Sequence, residues 1–157
     1  MSDVAHSGGC QCGAVRFSAR RLGNASICHC RMCQKAFGGF FGPLVTANEL
    51  TWTRGAPSHF ASSNKVRRGF CAACGTPLTY DYGGPVEVAI GAFDDPSAAA
   101  PTVQVNPNDK VPFFDGLCTL RVRQPEEAPD QEEFKKSIVS YQHPDRDTAE
   151  WTPGERR

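Results

Sequence analysis

Short apolar stretches recur along the first four-fifths of the chain, and several alternate with polar residues in a period of two. In Val86-Glu87-Val88-Ala89-Ile90 and in Leu120-Arg121-Val122-Arg123 the apolar and charged side chains fall on opposite faces of an extended backbone. That alternation is the mark of a half-buried strand. Gly, Pro, Asn and Asp separate the stretches, as turns require. The pattern predicts strands over residues 14–19, 39–46, 57–61, 77–82, 86–92, 101–105 and 118–123. No long helical periodicity interrupts them, and residues 31–36 have room for only one or two helical turns. The predicted fold class is mainly β.

Beyond residue 124 the pattern changes. Pro125-Glu126-Glu127-Ala128-Pro129 reads as a linker, and Asp130 as the cap of a helix over 131–142 with Glu132 and Glu133 in its first turn. Phe134, Ile138 and Tyr141 fall at helical spacing, which predicts that this short C-terminal helix packs one side on the body. The last dozen residues are expected to be disordered. The chain is thus read as a β domain over 1–124 and an acidic extension over 125–157, the latter carrying nine acidic and five basic residues.

Composition narrows the class further. The 157 residues suit one domain, and 17 Lys+Arg against 17 Asp+Glu leave no net charge. Nonspecific nucleic-acid affinity needs an excess of cations, so a nucleic-acid partner is not expected. No apolar run approaches the roughly 20 residues of a membrane span. The N-terminal residues lack the charged and apolar regions of a signal peptide. A cytoplasmic location follows as an expectation, and there thiols stay reduced. Eight cysteines therefore call for a role other than disulfides.

Their spacing supplies one. They form Cys10-x-Cys12, Cys28-x-Cys30-x-x-Cys33, Cys71-x-x-Cys74 and a single Cys118. Cys71-Ala72-Ala73-Cys74-Gly75 has the form of a zinc knuckle, in which a sharp turn aims two thiolates at one ion and the following Gly takes a left-handed conformation. A Cys-x-Cys pair cannot chelate from a regular strand, because its side chains would point to opposite faces. Cys10-Gln11-Cys12-Gly13 must then lie in an irregular turn, again ending in Gly. Cys10, Cys12, Cys71 and Cys74 together complete the four-sulfur shell of a structural zinc. With no βαβ context, a redox Cys-x-x-Cys is disfavoured.

Cys28, Cys30 and Cys33 supply three sulfurs and no obvious fourth. Three protein ligands with one position left over is the arrangement of a catalytic zinc. The remaining position suits a soft ligand such as a substrate thiolate, although His29 or Cys118 could close the shell and make the site structural. Two Zn²⁺ per chain are expected. With thiolates counted as charged ligands, the loaded protein is nearer about −3 than neutral. Gly38-Gly39-Phe40-Phe41-Gly42 follows the second cluster, and Phe40 and Phe41 are candidates to wall a substrate pocket. Arg31 and Lys35 are candidates to hold a substrate carboxylate, ahead of Arg67 and Arg68. His6, His59 and His143 have no ligand spacing. Nucleophile-elbow, phosphate-loop and His-Glu-x-x-His motifs are absent.

Three segments in order, Gly9-Cys10-Gln11-Cys12-Gly13-Ala14-Val15-Arg16-Phe17, Cys28-His29-Cys30-x-x-Cys33 and Phe70-Cys71-Ala72-Ala73-Cys74-Gly75-Thr76-Pro77-Leu78, resemble the glutathione-dependent formaldehyde-activating enzyme family, which also includes centromere protein V. Gly91-Ala92-Phe93-Asp94-Asp95-Pro96 is similar to a later family segment, so the resemblance runs from about Gly8 to Leu117. It implies an Mss4-like, zinc-stabilised β-sheet fold and the same division into a four-cysteine structural site and a three-cysteine catalytic site. The implied activity is that of a carbon–sulfur lyase, written as formation of S-hydroxymethylglutathione from formaldehyde and glutathione. Glutathione, or another small thiol, is the implied partner. Where members commonly carry one or two His and then Trp, this chain has Val103-Gln104-Val105 and Phe113. The alternative to an enzyme is a zinc-stabilised carrier of small thiols or a protein-interaction module.

Overall fold

The computed structural model describes residues 4–152. Among these, ten strands form two sheets. Strands β1 (His6–Gly9), β2 (Arg16–Ala19) and β5 (Thr51–Arg54) make a three-stranded antiparallel sheet. The larger sheet contains β3 (Arg21–Cys28), β4 (Gly42–Asn48), β6 (Ser58–Ala61), β7 (Arg67–Phe70), β8 (Pro77–Asp81), β9 (Glu87–Ala89) and β10 (Val103–Val105). Its order is β10-β3-β4-β9-β8-β7-β6, with only β10 running parallel to its neighbour. Helix α1 (Arg31–Phe37) follows β3, and α2 (Pro129–Ser137) lies in the C-terminal extension. The mainly β expectation holds. No helix among the described residues is long and apolar enough to cross a membrane.

The register of the large sheet sorts its side chains into two sets. Directly paired residues on neighbouring strands share a face. Ala25, Val45, Val88 and Thr79 are paired in series and all are buried, so this face meets the core. The series Phe60, Arg68, Tyr80, Glu87 and Thr46 occupies the opposite face. The alternation read in Val86–Ile90 therefore places Val88 in the core and Glu87 on the far side of the sheet.

The core centres on Phe17, which meets Trp52 and Phe93 edge to face at centroid distances of 5.9 and 5.1 Å. Beside it Arg16 is only 3% exposed, and both of its terminal nitrogens donate to the Asp94 carboxylate, at 2.7 and 2.5 Å. The Ser7 hydroxyl donates to the same carboxylate at 2.6 Å, and Asp147 accepts a further bond from Arg16. The Phe93-Asp94-Asp95-Pro96 segment is thereby explained residue by residue. Phe93 fills the core, Asp94 neutralises a buried arginine, and Asp95 accepts the Ser97 amide at the start of a 3₁₀ turn over Pro96–Ala99.

The C-terminal expectations need three corrections. Residues 118–123 form no strand: a 3₁₀ turn covers Phe114–Thr119, and Leu120 and Val122 are 70% and 79% exposed. Alternation makes a strand only where a neighbour supplies a ladder, and none does here among the described residues. Helix α2 starts at Pro129, whose fixed φ suits the first helical position, and is not capped by Asp130. It ends before Ile138, so Ile138 and Tyr141 leave the helical face, and Phe134, Ile138 and Tyr141 are exposed rather than packed on the body. The last dozen residues, expected to be disordered, include Asp147, Thr148 and Trp151, which dock on the β body through side-chain hydrogen bonds. Residues 153–157 of that stretch lie outside the described residues.

The Arg16–Asp94 pair is the polar element of the core most open to test. Burial pushes the Asp94 carboxyl up, but the bonds from Arg16 and Ser7 outweigh it and hold the group below the ordinary aspartate value. A depressed folded value means that the stabilisation is complete above the unfolded carboxyl range and is lost as pH falls through the folded one. Asp94→Asn leaves a buried guanidinium under-compensated and should cost about 3 kcal/mol at neutral pH. Urea denaturation from neutral pH downward should show the gap between wild type and variant closing with acid.

Candidate metal centres

The first cysteine cluster is built by two turns from different sheets. Cys10-Gln11-Cys12-Gly13 joins β1 to β2, and Cys71-Ala72-Ala73-Cys74-Gly75 joins β7 to β8. Gly13 and Gly75 have φ of 80° and 78°, the left-handed values expected of them. The turns are tied by Gly13 N–H to Cys10 O and Gly75 N–H to Cys71 O, and to each other by Gln11 N–H to the Thr76 hydroxyl. All four Sγ atoms lie within 4.8 Å of one another, with Cys10–Cys12 at 3.6 Å and Cys12–Cys71 at 3.9 Å. A tetrahedron with Zn–S bonds of about 2.3 Å has sulfur–sulfur edges of about 3.8 Å, so the donor set fits such an ion. The Cys10 sulfur also accepts the Val15 amide at 3.2 Å. Burial pushes the Cys74 thiol up, but bonds from Thr76 and Cys12 outweigh it and bring the group to about 6.

The second cluster is a short-range construction at the β3–α1 junction. Cys28 ends β3, Cys30 caps α1, and Cys33 lies in the first turn of that helix. Their sulfurs also lie within 4.8 Å of one another. Each receives one hydrogen bond from a different source. Asn106 Nδ2 donates to Cys28 at 3.2 Å, the Cys33 amide to Cys30 at 3.4 Å, and Arg68 Nη2 to Cys33 at 3.3 Å. Burial drives the Cys33 thiol up to about 12 even against Arg68. A thiol so buried is a proton-bearing group unless a cation replaces the proton, which is the condition of a metal ligand.

Neither other candidate for a fourth ligand joins this cluster. His29 is fully buried and turned away, with Nε2 2.9 Å from Gln104 Oε1 and its ring edge-on to Phe114 at 4.7 Å. Gln34, itself buried, donates to the carbonyls of His29 and Asp109 and fixes the loop around it. Cys118 is exposed and belongs to neither group of sulfurs.

A cavity of about 740 Å³ opens over the three sulfurs. That is within the roughly 300–1,000 Å³ range of small-molecule sites. Cys28, Cys30 and Cys33 form part of its wall, with Met32, Leu44, Val66 and Val105 as apolar surface. Lys65, Arg68, Glu87 and Asp109 bring two charges of each sign, and Ser62, Asn106, Tyr80 and Tyr82 add hydrogen-bonding groups. Glu87 has no hydrogen-bond or ion-pair partner among the described residues, and burial pushes its carboxyl up.

The sequence candidates for substrate contact stand elsewhere. Arg31 and Lys35 lie on the exposed side of α1, Arg31 bonded to Gln34. Phe41 and Phe114 pack on each other and on His29, while Phe40 and Phe113 form a separate, exposed pair. None of the four is on the cavity wall. Sequence reading missed Glu87 and undervalued Arg68. Glu87 carried a usable signal, since the alternation of its strand already turned it away from the core.

A sequence model of the glutathione-dependent formaldehyde-activating enzyme family matches residues 5–108, which contain both cysteine clusters. A crystal structure of a Rhodobacter sphaeroides protein is similar over 63% of this chain and 99% of its own, at 19% identity and a TM-score of 0.49.

The C-terminal segment lies beyond the matched residues, yet it grips the first cluster. Trp151 Nε1 donates to Cys12 O at 2.8 Å, and the His143 amide donates to Gln11 O at 2.7 Å. Arg54 bridges the turn and the tail by donating to Gly13 O and Thr148 O, with its guanidinium 5.9 Å from the Trp151 ring. For metal-loaded protein, Trp151→Ala should speed metal release to a chromogenic chelator about fivefold, the value of roughly one hydrogen bond. Equal release rates would show that the tail does not hold the turn.

Proposed function

Since the chain belongs to the glutathione-dependent formaldehyde-activating enzyme family, we propose that it is a zinc-dependent carbon–sulfur lyase-type enzyme acting on the adduct of a small thiol, glutathione first, with formaldehyde. The reading rests above all on the three-sulfur cluster in the wall of a 740 Å³ cavity, with no fourth protein ligand gathered beside it among the described residues. Cys10, Cys12, Cys71 and Cys74 would hold a structural zinc, and Cys28, Cys30 and Cys33 a second one. When bound, that second ion supplies a soft Lewis acid that lowers the pKa of a thiol. A reducing compartment such as the cytoplasm is the setting in which seven clustered thiolates and an exposed Cys118 stay unoxidised.

The remaining chemistry belongs to the cavity residues. Glutathione carries two carboxylates and one ammonium, and the cavity offers Lys65 against the former and Asp109 against the latter. In the forward direction a sulfur–carbon bond forms, the carbonyl π pair moves to oxygen, and the thiol proton ends on that oxygen. Glu87 is the group suited to carry this proton. It lines the same cavity as the sulfurs, has no competing partner among the described residues, and its carboxyl is raised by burial above the ordinary glutamate value. The reverse reaction returns the proton by the same carboxylate.

Exchange NMR of formaldehyde with glutathione tests both parts. Wild type should accelerate exchange above the uncatalysed rate, and Cys30→Ser should abolish the acceleration; equal rates would sink the enzyme reading. Calorimetric binding of glutathione without acceleration would favour the carrier. Glu87→Gln should lower the catalysed rate about 100-fold, a usual share for a positioned acid–base group. It should also remove an acid limb that in wild type lies above the ordinary glutamate range.

A further inference from the structure

Arg68 poses a charge problem that the fold has to solve. It lies in β7 on the cavity face, is only 4% exposed, and carries a guanidinium cation. A cation buried to that degree normally has a carboxylate beside it. Here the partners are the Cys33 sulfur, 3.3 Å from Nη2, the Ser62 hydroxyl, 2.9 Å from Nε, and the face of Tyr80, 5.0 Å from the guanidinium carbon. No carboxylate is among them in the described residues. The adjacent Arg67 is the contrast: it is exposed and pairs with Asp81 at 3.0 Å. The anion that Arg68 answers to is therefore the sulfur cluster itself.

The two clusters differ in this respect. The first takes its hydrogen bonds from the Val15 amide and the Thr76 hydroxyl, both uncharged. Four thiolates around a divalent ion carry two surplus negative charges, and three carry one. An anionic sulfur arriving from the cavity would raise the second cluster to the same surplus as the first, and Arg68 removes one charge of it. Its Nη1 makes no hydrogen bond among the described residues, and the side chain lines the cavity from which that ligand would come.

We infer that Arg68 is a positioning residue that biases the three-cysteine site toward an anionic sulfur as its fourth ligand and against a neutral donor. The inference rests on the proposed function and deepens it. It makes the substrate's thiolate form, not its peptide part, the feature that the metal side of the cavity selects. Arg68 acts through Cys33 and through the charge of the site, with Ser62 and Tyr80 holding the guanidinium beside that sulfur.

The test uses the full chain loaded with cobalt(II), whose thiolate charge-transfer absorption reports sulfur ligands directly. Wild type, Arg68→Met and Arg68→Lys are titrated with glutathione, with 2-mercaptoethanol, and with imidazole as a neutral donor. Arg68→Met should weaken both thiols about tenfold or more while leaving imidazole within about twofold, as expected for loss of a charged hydrogen bond. Arg68→Lys should fall between. Should Arg68→Met not fold, Ser62→Ala, which frees Nε, should weaken the thiols by a smaller factor in the same direction. Equal thiol affinity in wild type and variant, or equal loss of thiol and imidazole, would overturn the role. A wild-type site that takes up cobalt but shows no thiol-dependent absorption would instead overturn the reading of the site as a thiol enzyme, and this role with it.

Discussion

Convergence of two cysteine turns is the constraint on which the rest of this fold depends. The turn after β1 belongs to the small sheet and the turn after β7 to the large one. Bringing four sulfurs within 4.8 Å of one another fixes the two sheets relative to each other. The apolar core between them is modest, rich in alanine and built around Phe17. Arg16 and Asp94 add a second tie at the same seam, since Arg16 comes from the small sheet and Asp94 follows the end of β9. The C-terminal segment supplies a third tie through Trp151 and His143. A chain with a thin core gains its rigidity here from polar and sulfur cross-links more than from buried area.

With that seam fixed, the large sheet is free to use its outer face for chemistry. Val45 and Val88 seal the inner face, so Arg68, Tyr80 and Glu87 stand side by side on the other one without disturbing the core. The second cluster is brought to that face by β3, whose last residue is Cys28. Helix α1 then closes the cluster within six residues. The four-cysteine cluster is long-range and the three-cysteine cluster local, which separates the joint between the sheets from the wall of the cavity. A change at Cys30 alters the local site and leaves the joint between the sheets intact.

Much of this was legible in the sequence. Cysteine spacing and the glycines behind each turn named both clusters, and period-two alternation found most strands of the large sheet. What escaped has physical reasons. Strand β3 carries Arg, Gly, Asn and Ser at positions that an isolated reading assigns to a loop. It is a strand because β4 and β10 flank it, with a register shift between Leu22 and Ala25. Strand β7 begins with two arginines and a glycine, and the burial of Arg68 depends on a sulfur 35 positions away. The tail looked solvated because it is dense in charge, nine acidic residues against five basic, but it docks through single side chains, and single anchors leave no periodicity to read.

The departures from the family pattern fall into two physical kinds. Gln104 and Phe113 lie off the cavity wall: Gln104 Oε1 accepts from His29 Nε2, and Phe113 packs edge to face on Phe40. Val105 is different, because it lies on the cavity wall and its carbonyl accepts the His29 amide. An aliphatic side chain there offers a substrate contact area but no hydrogen bond. Val105 is also the register partner of Cys28 in the β10–β3 pairing, so this departure lies directly beside the three-cysteine cluster. The polar side chains of the same wall, among them Lys65, Arg68, Glu87, Asn106 and Asp109, stand with it around the three sulfurs.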